Sequence, residues 1–229
     1  MTSLLAWHGT RADGTTKHLK VKELVGVKTL LAGDVELCKN ALHGSVRAVD
    51  MLRFSEGLWI KRTLHEGKIL LAADKIGSSE RTVVAEADAT QVVVDWAFWC
   101  ADRAVRIHAV TALRQAGMDT EAEKLVSLAT ITDKKSADAA SWALTAAANT
   151  AANTAYTAHA AGCAAHAAVH SAVCAAIYAN HAVDAIDNAV CTSSNAVRAA
   201  ADTNEMEFLN AELERRLLAL MGLTSEVTQ

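Results

Sequence analysis

The sequence predicts an α+β protein: a small mixed α/β head over residues 1–87, followed over 88–229 by a mainly helical, alanine-rich region. Three observations lead there. Proline is absent from all 229 residues and only 11 glycines occur, which removes the usual helix breakers and lets helices run long. Composition shifts near residue 88, where short β-branched and apolar runs separated by glycine turns give way to stretches with few turn signals. A hydrophobic content of 52% at this length is enough to bury a substantial core, in one domain or in a small domain with an appendage, and the shift favours the second.

In the head, LLAWHG, LWIKRTLHEGKILLA and RTVVAEA carry the strand signals. The stretch VVVDWAFWCADRAVRIHAVTALRQA then reads as a helix, capped by Asp88 or Thr90 and closing at Gly117. Its first half is apolar on nearly all sides, with Trp96, Phe98 and Trp99 as anchors. Thr120 and Glu123 have capping-box spacing before KLVSLA, and a further helix begins near Ser136. The last, EMEFLNAELERRLLALMG, is amphipathic and closes at Gly222.

The tract over about residues 145–200 has internal order. In rows of eleven it gives HAAGCAAHAAV, HSAVCAAIYAN and HAVDAIDNAVC, with His159, His170 and His181 in register and Cys163 above Cys174. Such a repeat averages about 3.67 residues per turn and keeps one face on a partner. Alanine at most other positions lets helix axes approach to about 8 Å. The expected neighbour is the C-terminal helix, the Trp-rich helix or another copy of the chain. A helical bundle and one long helix both fit, with Gly162, Asn180 and the Thr192–Asn195 step as break points.

His159, His166, His170 and His181 with Cys163 and Cys174 fall within an arc of roughly 80° on a helix. His166 and His170 are at i and i+4, a spacing that brings two imidazoles to one ion, but Cys163 and His170 are about 10 Å apart along the axis. One helix therefore offers two ligands at most, and no Glu completes an HExxH pattern. The stripe is read as a polar packing seam, with no metal site.

Other classes have less support. Residues 141–183 lack Asp, Glu, Lys and Arg, yet Ala, Thr, Asn and His supply little transfer energy, so no membrane insertion is expected. A net charge of −4 without a basic run argues against nucleic acid. The opening MTSLLAWHGTRADG lacks the basic start and apolar core of a secretory signal, so a cytosolic protein is expected. Five cysteines without a CxxC pair point to reduced, buried thiols.

LLAWHGTRADG resembles the first core strand of ADP-ribosyltransferases, an apolar run ending in His-Gly-Ser/Thr. The resemblance implies that His8 holds the nicotinamide-side ribose of NAD, with Gly9 and Thr10 beside it and Arg11 facing a phosphate. NALHGSVRAVDMLRFSEGLWIKRTLHEG resembles a second piece of that superfamily, a short strand with a small hydroxyl residue that starts a helix leading to another strand. Ser45 then sits at the helix cap and His43 near the nicotinamide. A late acid completes such sites. Asp74 is taken for it, with Glu66, Glu80 and Glu86 as competitors.

A broader resemblance covers about residues 4–76. AWH, then C-x-x-x-LH-x-S, a D-x-L helix, a GxI step and a DK pair are similar to an uncharacterised bacteriophage family whose members often carry an Ala-rich helical tail. The matching residues are Trp7, His8, Cys38, Leu42, His43, Ser45, Asp50, Leu52, Gly67, Ile69, Asp74 and Lys75. The likeness implies the architecture and a phage origin, and names no reaction.

Two functions follow as expectations. The primary one is a bacteriophage accessory or virion-associated protein, in the host cytoplasm or the virion, that self-associates or binds a phage or host protein through its Ala-rich helices and needs no cofactor. The alternative is an NAD-dependent ADP-ribosyltransferase-like enzyme, or a nucleotide-binding protein, using His8 and His43.

Overall fold

The computed structural model describes residues 3–16, 20–152 and 204–224, together with 159–160, 162–163, 166–167, 170, 174, 188–189, 191–192, 194–197 and 200. The chain combines α-helices with an antiparallel sheet. It divides into one compact unit of residues 1–92 with 212–229 and a second of 93–211. The C-terminal residues, grouped by composition with the helical half, thus belong to the sheet unit.

That unit contains β1 (Leu4–Thr10), β2 (Lys28–Leu30), β3 (Leu42–Gly44), α1 (Ala48–Leu52), β4 (Trp59–Leu71) and β5 (Ile76–Asp88). β1, β4 and β5 are the three runs with strand signals. β4 pairs with β1 on one edge and β5 on the other, while β5 shares its far edge between β3 and β2. Just beyond β3, Ser45 exchanges both backbone hydrogen bonds with Trp7 of β1, at 2.8 and 2.9 Å, so the ladder closes on itself. Register shifts at Arg62/Thr63 and Glu66/Ile69 supply bends that closure requires.

Closure buries charge. Lys61 is 0% and Arg81 2% exposed, and Arg62, Thr63 and His65 are also buried. Glu23, from the irregular segment between β1 and β2, answers them: its Oε1 accepts from Arg81 Nη2 at 2.7 Å and Nε at 3.1 Å, and its backbone carbonyl accepts from Lys61 Nζ at 2.9 Å. Glu86 lies 3.3 Å from the same ammonium. The Arg62 guanidinium stacks 4.4 Å from the Trp7 ring centroid.

Ser45 does not cap α1, because the N-cap position falls two residues later, at Arg47. The helix starts after Arg47, which makes no side-chain cap bond, and Glu214 Oε1 instead accepts the Ala48 amide at 3.1 Å. Glu214 lies on the C-terminal helix α6 (Glu205–Leu220), which ends before Gly222 as expected.

α2 (Thr90–Arg103), which belongs to the second unit from Val93 onward, continues through a π-helical turn (Ala104–Ala109) into α3 (Val110–Gln115). Asp88 Oδ1 accepts the Thr90 amide at 2.9 Å, and the run closes on Gly117 with Met118 N–H donating to the Leu113 carbonyl at 2.9 Å. Trp96 is fully buried, its Nε1 donating to the Leu209 carbonyl at 3.0 Å. α4 (Asp119–Val126) forms without the expected capping box: no side chain caps it, and Glu123 takes Arg114 Nη2 at 2.6 Å instead. α5 (Lys134–Ala151) has a reciprocal cap between Asp133 and Ser136, and buries a small-residue face of Ala137, Ala140, Leu144, Ala147, Ala148 and Ala151.

α5 receives the start of the repeat tract. His159 Nδ1–H donates to the Ala148 carbonyl at 3.0 Å, and a Cβ on buried Gly162 would lie 3.2 Å from the Ala148 Cβ. Along one helix, 148 and 159 would be about 16 Å apart, so they belong to separate segments. His181 and most of the third row lie outside the described residues. The five thiols are free, but Cys38, Cys163 and Cys191 are exposed, against the expectation of burial. Among the described residues no helix is long and apolar enough to cross a membrane.

The buried pair and a surface pair should respond differently to truncation. Arg81→Ala strands the Glu23 carboxylate in the interior and is expected to cost about 3–5 kcal/mol in urea unfolding. Lys39→Ala, which breaks the exposed pair with Glu36, should cost about 1 kcal/mol or less.

Candidate functional site

A cleft of about 420 Å³ opens in the sheet unit where β1 and the chain after Ser45 part. Trp7, His8, Gly9 and Thr10 of β1 line it with Arg11, Cys38, His43, Gly44 and Ser45. Met51 of α1 and the Arg53–Glu56 turn form the opposing wall, with Lys75 from the β4–β5 turn.

His8 is half-buried, and its Nε2 is a buried atom with no hydrogen-bond partner among the described residues. Such atoms are rare in folded proteins. Burial, then Arg81, His65, Lys61 and His43, holds its pKa well below the ordinary histidine value. The imidazole is therefore neutral near pH 7, a hydrogen-bonding group rather than a cation.

His65, fully buried on β4, explains the geometry beneath. The Ser78 hydroxyl donates to the Glu80 carbonyl at 2.7 Å, so at 2.8 Å from His65 Nδ1 it must accept. His65 thus carries its proton on Nδ1, leaving Nε2 facing the Thr63 hydroxyl at 3.1 Å. Burial, with Arg81 and His43, pushes this imidazole down to about 3. Gly44 lies directly against it: a Cβ there would be 2.8 Å from His65 Nε2 and 3.0 Å from the Ala6 Cβ.

His43 is held from two directions. Its Nε2 accepts the Cys38 amide at 3.1 Å, in a loop where Cys38 adopts φ +66°, and its carbonyl accepts from Arg81 Nη1. The ion pair that neutralises the interior therefore also fixes one wall of the cleft.

The residues singled out by sequence fare differently in detail. Gly9 is needed where α1 approaches, since a Cβ would collide with Ser55 and Met51. The Thr10 hydroxyl donates to the Trp59 carbonyl at 2.9 Å and is occupied structurally. Arg11 Nε donates to Glu56 Oε2 at 2.9 Å, so part of its guanidinium faces a carboxylate of the cleft itself. Asp74 sits in the β4–β5 turn and does not line the cleft, although its neighbour Lys75 does. Its competitors are engaged elsewhere: Glu66 and Glu80 both meet Lys28 Nζ, at 2.9 and 2.8 Å, and Glu86 meets Lys61.

The cleft carboxylate among the described residues is Glu56, which no sequence motif marked. Phe54 was also missed. It is 45% exposed, with Lys75 Nζ 4.7 Å from its ring centroid. No three His, Cys, Asp or Glu side chains gather as a metal-binding group among the described residues.

No protein-family model matches the chain, and no curated protein or solved structure matches it. The likenesses to the bacteriophage family and to ADP-ribosyltransferases rest on the residues quoted above.

The depressed histidines set a pH dependence. In the unfolded chain imidazoles protonate as pH falls through about 6.5, while folded His65 stays neutral to about 3. The unfolded state then binds more protons, so the stability contributed by the neutral form is complete above pH 6.5 and is lost toward pH 3, by about 1.4 kcal/mol per pH unit per histidine. Urea unfolding between pH 7 and 5 should show this slope, and His65→Gln should lessen it by one histidine's share, His8 keeping its own.

Proposed function

We propose that the sheet unit binds a ligand carrying both ribose and phosphate, of the NAD or ADP-ribose kind, in a protein that serves a bacteriophage as an accessory or virion-associated component. The observation that carries this reading is that His8, Gly9, Thr10, Arg11, His43 and Ser45 line one cleft, whose volume of about 420 Å³ suits a small molecule. The unsatisfied Nε2 of a neutral His8 suits a ribose hydroxyl. Arg53 and Lys75 suit phosphate oxygens, and the exposed face of Phe54 suits a planar ring.

Glu56 bears on the choice between binding and ADP-ribosyl transfer. It is the carboxylate a transferase would need in this cleft, and its bond to Arg11 supports binding without turnover. The Ala-rich region forms the other half of the proposal, self-associating or taking a phage or host protein in the host cytoplasm or the virion. Trp142 on α5, 79% exposed, supports a role in contact with a partner.

Thermal unfolding with NAD, ADP-ribose or inorganic phosphate tests the binding reading. A ligand at 100 times its dissociation constant adds about 2.7 kcal/mol, which raises the Tm measurably. NAD or ADP-ribose should produce the shift with no consumption of NAD, and His8→Gln should reduce it while leaving cooperative melting. Absence of a shift with either nucleotide would overturn the reading, and steady NAD turnover would replace binding with catalysis.

A further inference from the structure

The second unit holds a pair of side-chain contacts that the seam reading does not use. His159 Nε2 lies 3.7 Å from Cys163 Sγ, and His170 Nε2 lies 3.8 Å from Cys174 Sγ. All four residues are helical, and each pair is at i and i+4, the spacing that stacks two side chains on one helix face. The pairs recur eleven residues apart in the sequence, the period of the repeat.

Their separation suits an ion between them. With Zn–S of about 2.3 Å, Zn–N of about 2.0–2.1 Å and a tetrahedral angle, the sulfur and nitrogen of one chelate are about 3.5 Å apart. The observed contacts are within a few tenths of an ångström of that value.

A second observation is independent of the distances. The Ala148 carbonyl can only accept, so the His159 proton is on Nδ1 and the lone pair of Nε2 faces the thiol. Histidines that ligate metals through one nitrogen characteristically donate from the other to a carbonyl or carboxylate, which fixes tautomer and ring orientation. Cys163 and His170 are exposed and Cys174 is half-exposed, so an ion has access from solvent.

We propose that His159–Cys163 and His170–Cys174 are two bidentate sites for a borderline-soft divalent transition metal, with Zn²⁺ the best match to one imidazole and one thiolate. On binding, each thiol releases its proton to solvent and the imidazole binds as the neutral base, so affinity falls as pH is lowered. The other coordination positions of each ion are open. Each histidine contacts the cysteine of its own pair, so each pair holds its own ion.

Titration of the full, reduced, metal-free chain with Co²⁺ alone tests this. Thiolate-to-cobalt charge-transfer absorption should appear in the near ultraviolet and be displaced by Zn²⁺. It should persist in the Cys38→Ser/Cys191→Ser variant, disappear in Cys163→Ser/Cys174→Ser, and fall without vanishing in His159→Ala. Far-ultraviolet circular dichroism of each variant confirms that the helices remain. No charge-transfer band, or a band that survives loss of both Cys163 and Cys174, would overturn the proposal and leave the contacts as weak thiol–imidazole hydrogen bonds.

Discussion

The sheet unit depends on one electrostatic constraint: cations placed inside a closed ladder must be answered by carboxylates and carbonyls brought there for the purpose. Lys61 and Arg81 are almost wholly out of water, and an isolated buried charge is far costlier than folding can sustain. Glu23 meets both, through its carboxylate to Arg81 and its backbone to Lys61. Between β1 and β3 the chain is also tied down by β2, which pairs with β5 over Lys28–Leu30, and Glu23 adds the contact that neutralises the interior. Arg81 also bonds the His43 carbonyl, which carries the constraint from the interior to the cleft wall.

The same cations shape the chemistry of the cleft. Burial comes first and Arg81 next in holding both His8 and His65 neutral, so the unit presents imidazoles to its interior and its cleft as neutral donors and acceptors. His65 uses both nitrogens, on Ser78 and Thr63. His8 leaves Nε2 unmet at the cleft. Two histidines on neighbouring strands thus feel the same buried cations, but His65 is fully buried with both nitrogens met, whereas His8 is half-buried at the cleft with Nε2 unmet, which makes one a structural residue and the other a binding candidate.

Features encoded within a few residues were legible in the sequence. β1, β4 and β5 coincide with the apolar and β-branched runs, and Gly117 and Gly222 end their helices because the left-handed closing position favours glycine. What was not legible came from partners distant in sequence. Glu214 lies 166 residues from the Ala48 amide it caps, so the local signal points to Ser45, whereas α1 begins after Arg47. Thr120 and Glu123 had a capping pattern, but Arg114 competes for the glutamate. Glu56 had no motif at all, and became the cleft carboxylate because the turn after α1 folds toward Arg11.

Alanine in the second unit has a consequence beyond close packing. A helix carbonyl already accepts one intrahelical bond, and a side chain from another segment can use its second lone pair only if nothing bulky shields it. On α5 the buried face is nearly all alanine, and the position facing Ala148 is Gly162, so the His159 ring reaches the Ala148 carbonyl directly. Smallness at 148 and 162 thereby lets the Ala148 carbonyl hold the proton on His159 Nδ1, which leaves the unprotonated Nε2 facing Cys163. A larger residue at either position would move the ring off the carbonyl before it changed the helices themselves. The composition that makes this tract look featureless is therefore what gives its histidine a defined chemical state.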